Sequence, residues 1–96
     1  MPKVIWTEKC LQRIEEICDY IELDSISGSN KFANEIFSKE ELIRNNPRIG
    51  KIVPDYEIEE YRQIIVGNYR LVYRVDEISI QMITVRHCKQ EKVIED

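Results

Sequence analysis

The second half of this 96-residue chain carries its one histidine and a spaced set of arginines: Arg62, Arg70, Arg74, Arg86 and His87. Imidazole exchanges protons near neutral pH, so His87 is a candidate general acid or base. The guanidinium fork binds phosphate or carboxylate bidentately, so Arg70 and Arg62 are candidates for holding a phosphate and stabilising charge that develops on it. The same arginines would also serve as surface ion-pair partners for Glu57, Glu59, Glu60 or Asp76, and a histidine with no nucleophile or ligand beside it in sequence also fits a structural role. Tyr61, Tyr69 and Tyr73 lie among the arginines; they can stack on bases or fill a half-buried sheet.

These residues need strands to present them. Tyr61–Val66 and Tyr69–Val75 read as two strands joined by Gly67-Asn68, a hairpin signal with glycine first, as a type II′ turn requires. Asp76-Glu77 makes a second tight turn into a third strand, Ile78–Val85, completing an antiparallel meander. Arg70 and Arg74 share strand parity with Val72, and Arg62 with Ile64 and Val66; on antiparallel neighbours such residues can converge on one sheet face. Upstream, Lys51–Val53 is a short strand ended by Pro54, followed by an acidic loop over 55–60.

The first half has the helical period. Thr7 is placed to cap a helix over 8–23, with Cys10, Leu11, Ile14, Ile17, Cys18 and Ile21 on its apolar stripe and Glu15, Glu16, Asp19 and Glu22 on its solvated face. A Ser/Gly/Asn-rich break over 24–30 precedes a second helix, roughly 29–45, with Phe32, Ala33, Ile36, Phe37 and Ile43 facing inward and Pro47 and Gly50 closing it. Lys3–Trp6 is a strand ahead of both. The order is β-α-α-β-β-β-β, an α+β class: an N-terminal strand and a two-helix hairpin packed on a twisted antiparallel sheet, in a single domain over 1–96. The other sheet face is left to solvent or to a partner. The tail from Arg86 onward is polar and reads as frayed or as a short helix.

Composition narrows the function classes. Net charge is −4, against a bulk nucleic-acid binder, yet residues 61–92 carry six basic and three acidic side chains, so a local basic face sits on an acidic chain. No run approaches a membrane span, and the start lacks the apolar core of a secretion signal, so a cytoplasmic location is expected. The three cysteines, Cys10, Cys18 and Cys88, form no metal-binding spacing, and Cys10 and Cys18 read as small buried hydrophobes. There is no Gly-rich phosphate loop, GxSxG or HExxH, so neither a cofactor nor a metal is expected. A domain this small has room for an open groove rather than an enclosed pocket.

The chain resembles the RelE/ParE toxin superfamily, whose members are often labelled plasmid stabilisation proteins. The resemblance runs from about Val4 to Lys89. It rests on P-x-x-G-K-x-V-P from Pro47 to Pro54, on Tyr61-Arg62 followed six residues later by Tyr69-Arg70-Leu71-Val72-Tyr73-Arg74-Val75, and on Val85-Arg86-His87. It implies a helix hairpin on a sheet and a toxin of a type II toxin–antitoxin system, neutralised by a cognate antitoxin in a hetero-oligomer. RelE-like members cut mRNA on the ribosome without a metal; on that pattern Arg70 and His87, with Arg62 a weaker match, would be catalytic. ParE-like members bind and poison DNA gyrase. The net charge, the acidic loop before Arg62, the absence of an aromatic after His87 and the PRIGKIVPDY stretch are closer to ParE, so the gyrase-binding toxin is the leading expectation. The ribosome-dependent ribonuclease is the alternative, and a non-toxic interaction module the second alternative.

Overall fold

The computed structural model describes residues 2–89. The elements, in chain order, are β1 (Lys3–Trp6), α1 (Glu8–Glu22), α2 (Ile26–Asn45), β2 (Lys51–Ile52), β3 (Tyr61–Val66), β4 (Tyr69–Val75) and β5 (Ser79–His87). They form a five-stranded sheet in the order β1-β5-β4-β3-β2, with the helix hairpin packed on one face.

Local chemistry sets the boundaries. The Thr7 hydroxyl accepts the Cys10 amide at 3.1 Å, capping α1 where the sequence places it. Ser25 does the same for α2, accepting the Gly28 amide at 2.8 Å. That cap starts α2 at Ile26, several residues earlier than the Ser/Gly/Asn composition implies, because residues that weaken a helix interior are well suited to its first turn. Gly67 has φ +61°, and Asn68 keeps a negative φ, the pattern of a II′ turn. At the β4–β5 turn, the Asp76 carboxylate accepts the amides of Ile78 and Ser79 at 3.0 and 2.7 Å.

Two expectations are corrected. The sheet is mixed rather than antiparallel: β1 runs parallel to β5, Lys3 opposite Ser79 and Trp6 opposite Met82, because the α1–α2 excursion returns the chain to the far side of the sheet. Arg86 and His87 are not tail but the end of β5, paired with Arg70 and Tyr69 of β4. The rest of the tail beyond Lys89 lies outside the described residues.

The core lies between sheet and helices. Cys10, Ile14 and Ile17 of α1 and Phe32, Ile36 and Ile43 of α2 meet Leu71, Tyr73 and Val75 of β4 and Ile80, Met82 and Val85 of β5. Leu11 and Phe37 sit at the rim instead, Phe37 with its ring 4.9 Å from that of Trp6. The opposite face carries a second, smaller cluster, in which Val53 and Val72 are buried beneath Tyr56 and Tyr61.

A bulge in β5 decides which side chains reach which face. Val72 pairs with Thr84 and Tyr73 with Met82, so Ile83 is the extra residue. Met82 and Val85 therefore both face the helices, while Thr84 and Arg86 share the face of Val72 and Arg70.

Candidate functional site

Strand register separates the candidate residues. Arg70 lies opposite Ile65 of β3 and Arg86 of β5, on the helix-free face. Its guanidinium donates to the Gln63 side-chain oxygen at 3.2 Å and to the Asp55 carboxylate at 3.4 Å. Its side chain is only 13% exposed, tucked under the acidic loop that leads into β3.

Arg62 lies opposite Tyr73, on the helix-bearing face. It donates to the carbonyls of Glu59 at 2.8 Å and Gly50 at 3.2 Å, and its other terminal nitrogen is 3.7 Å from the Glu59 carboxylate. The neighbouring Tyr73 hydroxyl donates to the Pro47 carbonyl at 2.7 Å and accepts the Gly50 amide at 2.9 Å. Burial pushes the Tyr73 phenol upward, against the opposing effect of the Gly50 amide and the Arg62 charge. This cluster anchors the 46–50 connection to the sheet.

His87 lies opposite Tyr69, also on the helix-bearing face, with the two rings edge-to-face at 5.2 Å. Its Nδ1 accepts the Lys89 amide at 3.1 Å. It borders a groove of about 710 Å³ between α1 and the β3–β4 hairpin, lined also by Arg13, Tyr20, Ser25, Asn68 and Tyr69. Arg74 is 3.5 Å from Asp76 at the far end of β4. The Asp76 carboxyl is held below its ordinary value, first by the Ile78 and Ser79 amides and to a smaller degree by Arg74.

The register therefore does not bring the arginines together on one face. Arg70 points away from the helices, while Arg62 and His87 face them. Along β4, the partners of Arg62 and His87 are Tyr73 and Tyr69, which separates the two side chains by roughly 13 Å in the strand direction alone. A phosphate cannot touch all three. Among the described residues, no cluster of His, Cys, Asp or Glu could hold a metal ion, and no helix is long and apolar enough to cross a membrane. Two contributors escape sequence inspection: Asp55, which clamps Arg70, and Gly50, whose backbone takes up Arg62. In sequence these look like one more acid in an acidic loop and one more helix-terminating glycine.

The element order and the helix hairpin on one sheet face have a counterpart among known proteins. A sequence model described as "ParE toxin of type II toxin-antitoxin system, parDE" matches residues 4–92. The chain belongs to the ParE toxin family. Solved structures share the fold. The chromosomal ParDE toxin–antitoxin system of P. aeruginosa aligns with TM-score 0.75 at 20% identity, covering 93% of this chain and 98% of that one. The YoeB dimer of Staphylococcus aureus aligns with TM-score 0.59 at 18% identity, covering 90% and 95%. The RelBE2 toxin–antitoxin complex of Mycobacterium tuberculosis aligns with TM-score 0.55 at 23% identity, covering 91% and 99%. No curated protein matches the chain in sequence. The ParE family assignment and the RelE/ParE-like fold are those the sequence motifs imply.

Proposed function

We propose that this ParE-family toxin inhibits growth by binding DNA gyrase in the cytoplasm, and that a cognate antitoxin neutralises it in a toxin–antitoxin hetero-oligomer. One observation carries the choice of a binding toxin over a ribonuclease: Arg70 and His87 occupy opposite faces of the sheet, and Arg62 is engaged by the backbone of Gly50 and Glu59. In-line cleavage of RNA needs its base and its phosphate-stabilising cation within hydrogen-bond reach of one phosphodiester.

An antitoxin partner is supported by the ParDE and RelBE2 relatives, which are toxin–antitoxin systems. It is supported also by Tyr20, Leu23 and Ile26, which stand 69%, 83% and 68% exposed around the α1–α2 turn. Apolar side chains grouped in this way are what a partner covers.

The test is induced expression in bacteria without antitoxin, comparing the wild type with the Arg70→Ala/His87→Ala double variant. Filamentation and DNA damage with intact mRNA, in both proteins, is the expected result. Ribosome-dependent mRNA cleavage that disappears in the double variant would overturn the proposal in favour of a ribonuclease. Unimpaired growth with soluble wild-type protein present would leave only the interaction module.

A further inference from the structure

The stretch from Ile14 to Asn30 carries Glu15, Glu16, Asp19, Glu22 and Asp24 and no lysine, arginine or histidine. Its five negative charges exceed the −4 of the whole chain, so all other residues together amount to +1. The stretch forms the second half of α1, the turn and the start of α2. Glu16 lies 3.7 Å from Arg13, but among the described residues Glu15, Asp19, Glu22 and Asp24 have no cation within ion-pair distance, and all four are exposed. This placement is unfavourable for the helix itself. The C-terminal end of a helix carries partial negative charge and favours lysine or arginine. The last turn of α1 has no basic residue and holds Asp19 and Glu22 instead. Glu15 and Asp19, four apart, and Asp19 and Glu22, three apart, also repel each other along the helix surface. Local choices that oppose stability without compensation mark a surface kept for function.

Apolar surface lies among these acids. Tyr20, Leu23 and Ile26 are exposed, and the groove beside them is lined by Ile17, Ile21 and Tyr69 as well as by Asp24. Tyr20 belongs to both, so patch and groove are continuous. Apolar anchors rimmed by charge of one sign fit a protein partner that carries the opposite sign. The same charge argues against the other occupants. A second copy would bring these acids against themselves across a two-fold axis, and a nucleic acid would bring phosphates against them.

We infer that the α1–α2 turn and the adjoining groove receive a basic, amphipathic segment of the antitoxin, whose apolar side chains cover Tyr20, Leu23 and Ile26 and whose lysines or arginines lie against Asp19, Glu22 and Asp24. This assignment rests on the toxin–antitoxin reading and adds the chemistry of the partner. The charges steer the encounter and make it sensitive to salt, while the apolar anchors govern how slowly the complex dissociates. An antitoxin whose contacting segment is acidic is rejected by like charge, so the sign of that segment separates the cognate partner from others.

The test is calorimetric titration of the purified 96-residue chain with the purified product of the reading frame encoded beside it, at low and at high salt. The triple variant Asp19→Asn/Glu22→Gln/Asp24→Asn is expected to bind roughly tenfold or more weakly at low salt, with the loss shrinking at high salt. Glu41→Gln/Glu57→Gln/Glu60→Gln makes the same change of net charge elsewhere and should leave binding unaltered. Leu23→Ser/Ile26→Ser should weaken binding roughly tenfold or more at both salt concentrations. Hydrogen exchange on the complex locates the partner segment that covers residues 19–26, and that segment should carry more lysine and arginine than acids. An acidic covering segment, or a triple variant that binds no more weakly than the control, overturns the inference while the antitoxin reading stands. Failure of the wild-type chain to bind overturns both. Self-association of the wild type that Leu23→Ser/Ile26→Ser abolishes, with antitoxin binding intact, identifies a second copy as the occupant and overturns the inference. All the substituted residues are exposed, and thermal unfolding of each variant confirms that binding is read on a folded protein.

Discussion

The Tyr73 hydroxyl accepts the Gly50 amide at 2.9 Å while donating to the Pro47 carbonyl at 2.7 Å, so one buried phenol on the central strand holds both ends of the connection that leaves α2. Pro47 and Gly50 belong to the P-x-x-G-K stretch on which the family resemblance partly rests, and here the stretch serves architecture. Arg62 adds a third tie, to the Gly50 carbonyl at 3.2 Å. An arginine read as catalytic from its type and spacing is thereby used as a clasp.

Tyr73→Phe removes only the oxygen. It leaves the Gly50 amide and the Pro47 carbonyl without their partner in a buried setting, so a loss of about 1–3 kcal/mol is expected. Urea unfolding would show it as a lowered midpoint with an unchanged slope. An unshifted midpoint would mean that water reaches this connection.

Gly50→Ala tests the same junction from the other side. An added Cβ would lie 2.7 Å from both the Gln63 carbonyl oxygen and the Tyr73 hydroxyl. Backbone on one side and a packed ring on the other leave little room to relax, so a destabilisation on the order of 1–3 kcal/mol is expected. Pairing it with Tyr73→Phe should give less than the sum of the two, since both disrupt one contact.

Glu40 provides a pH reporter. Its carboxylate accepts the Trp6 indole N–H at 2.6 Å and a bond from Arg44; the Trp6 bond first, then Arg44, holds its carboxyl below the ordinary glutamate value. A folded-state value lowered in this way contributes stability that is present above the unfolded-state value and is lost as pH falls through the folded one. Trp6 is the single tryptophan, so its emission should shift with a midpoint below that of an ordinary glutamate. The transition should vanish in Glu40→Gln. A midpoint at or above the ordinary value would contradict the bond.

The three cysteines should react in a fixed order. Cys88 is exposed, Cys18 is half-buried with its Sγ near the Ser29 carbonyl, and Cys10 is fully buried. Burial pushes the Cys10 thiol up to about 12, so it carries almost no thiolate at neutral pH. A thiol-disulfide reagent should label Cys88 at once, and Cys10 only on unfolding. Rapid labelling of Cys10 in the native chain would mean that α1 opens locally.

How far the sequence carries is visible residue by residue. Thr7 and the Gly67-Asn68 turn follow from local chemistry and lie where local chemistry puts them. Ser25 shows the limit of composition, because serine, glycine and asparagine favour both breaks and first helical turns, and only the cap geometry distinguishes the two. The pairing of β1 with β5 joins residues more than seventy positions apart, and no local period records it. Whether the candidate residues converge was open in the sequence for a related reason. Parity correctly groups Arg70 with Val72 and Arg62 with Ile64, but it does not state which group faces the helices. That requires the cross-strand register. In β5 even parity misleads, because the Ile83 bulge moves Thr84 and Arg86 to the face opposite Met82.

The position of β5 also orders events in time. It pairs with both β1 and β4 and supplies Ile80, Met82 and Val85 to the core, yet it is the last element of the described chain to be synthesised. Until it leaves the ribosome, β1 has no strand to join and α1 has no floor to pack on. At about 5–20 residues per second, the nascent chain spends several seconds with an amphipathic hairpin and an open sheet edge. Long-range closure of this kind slows folding. Premature termination a few residues before His87 would therefore yield an incompletely folded protein rather than a slightly shortened toxin.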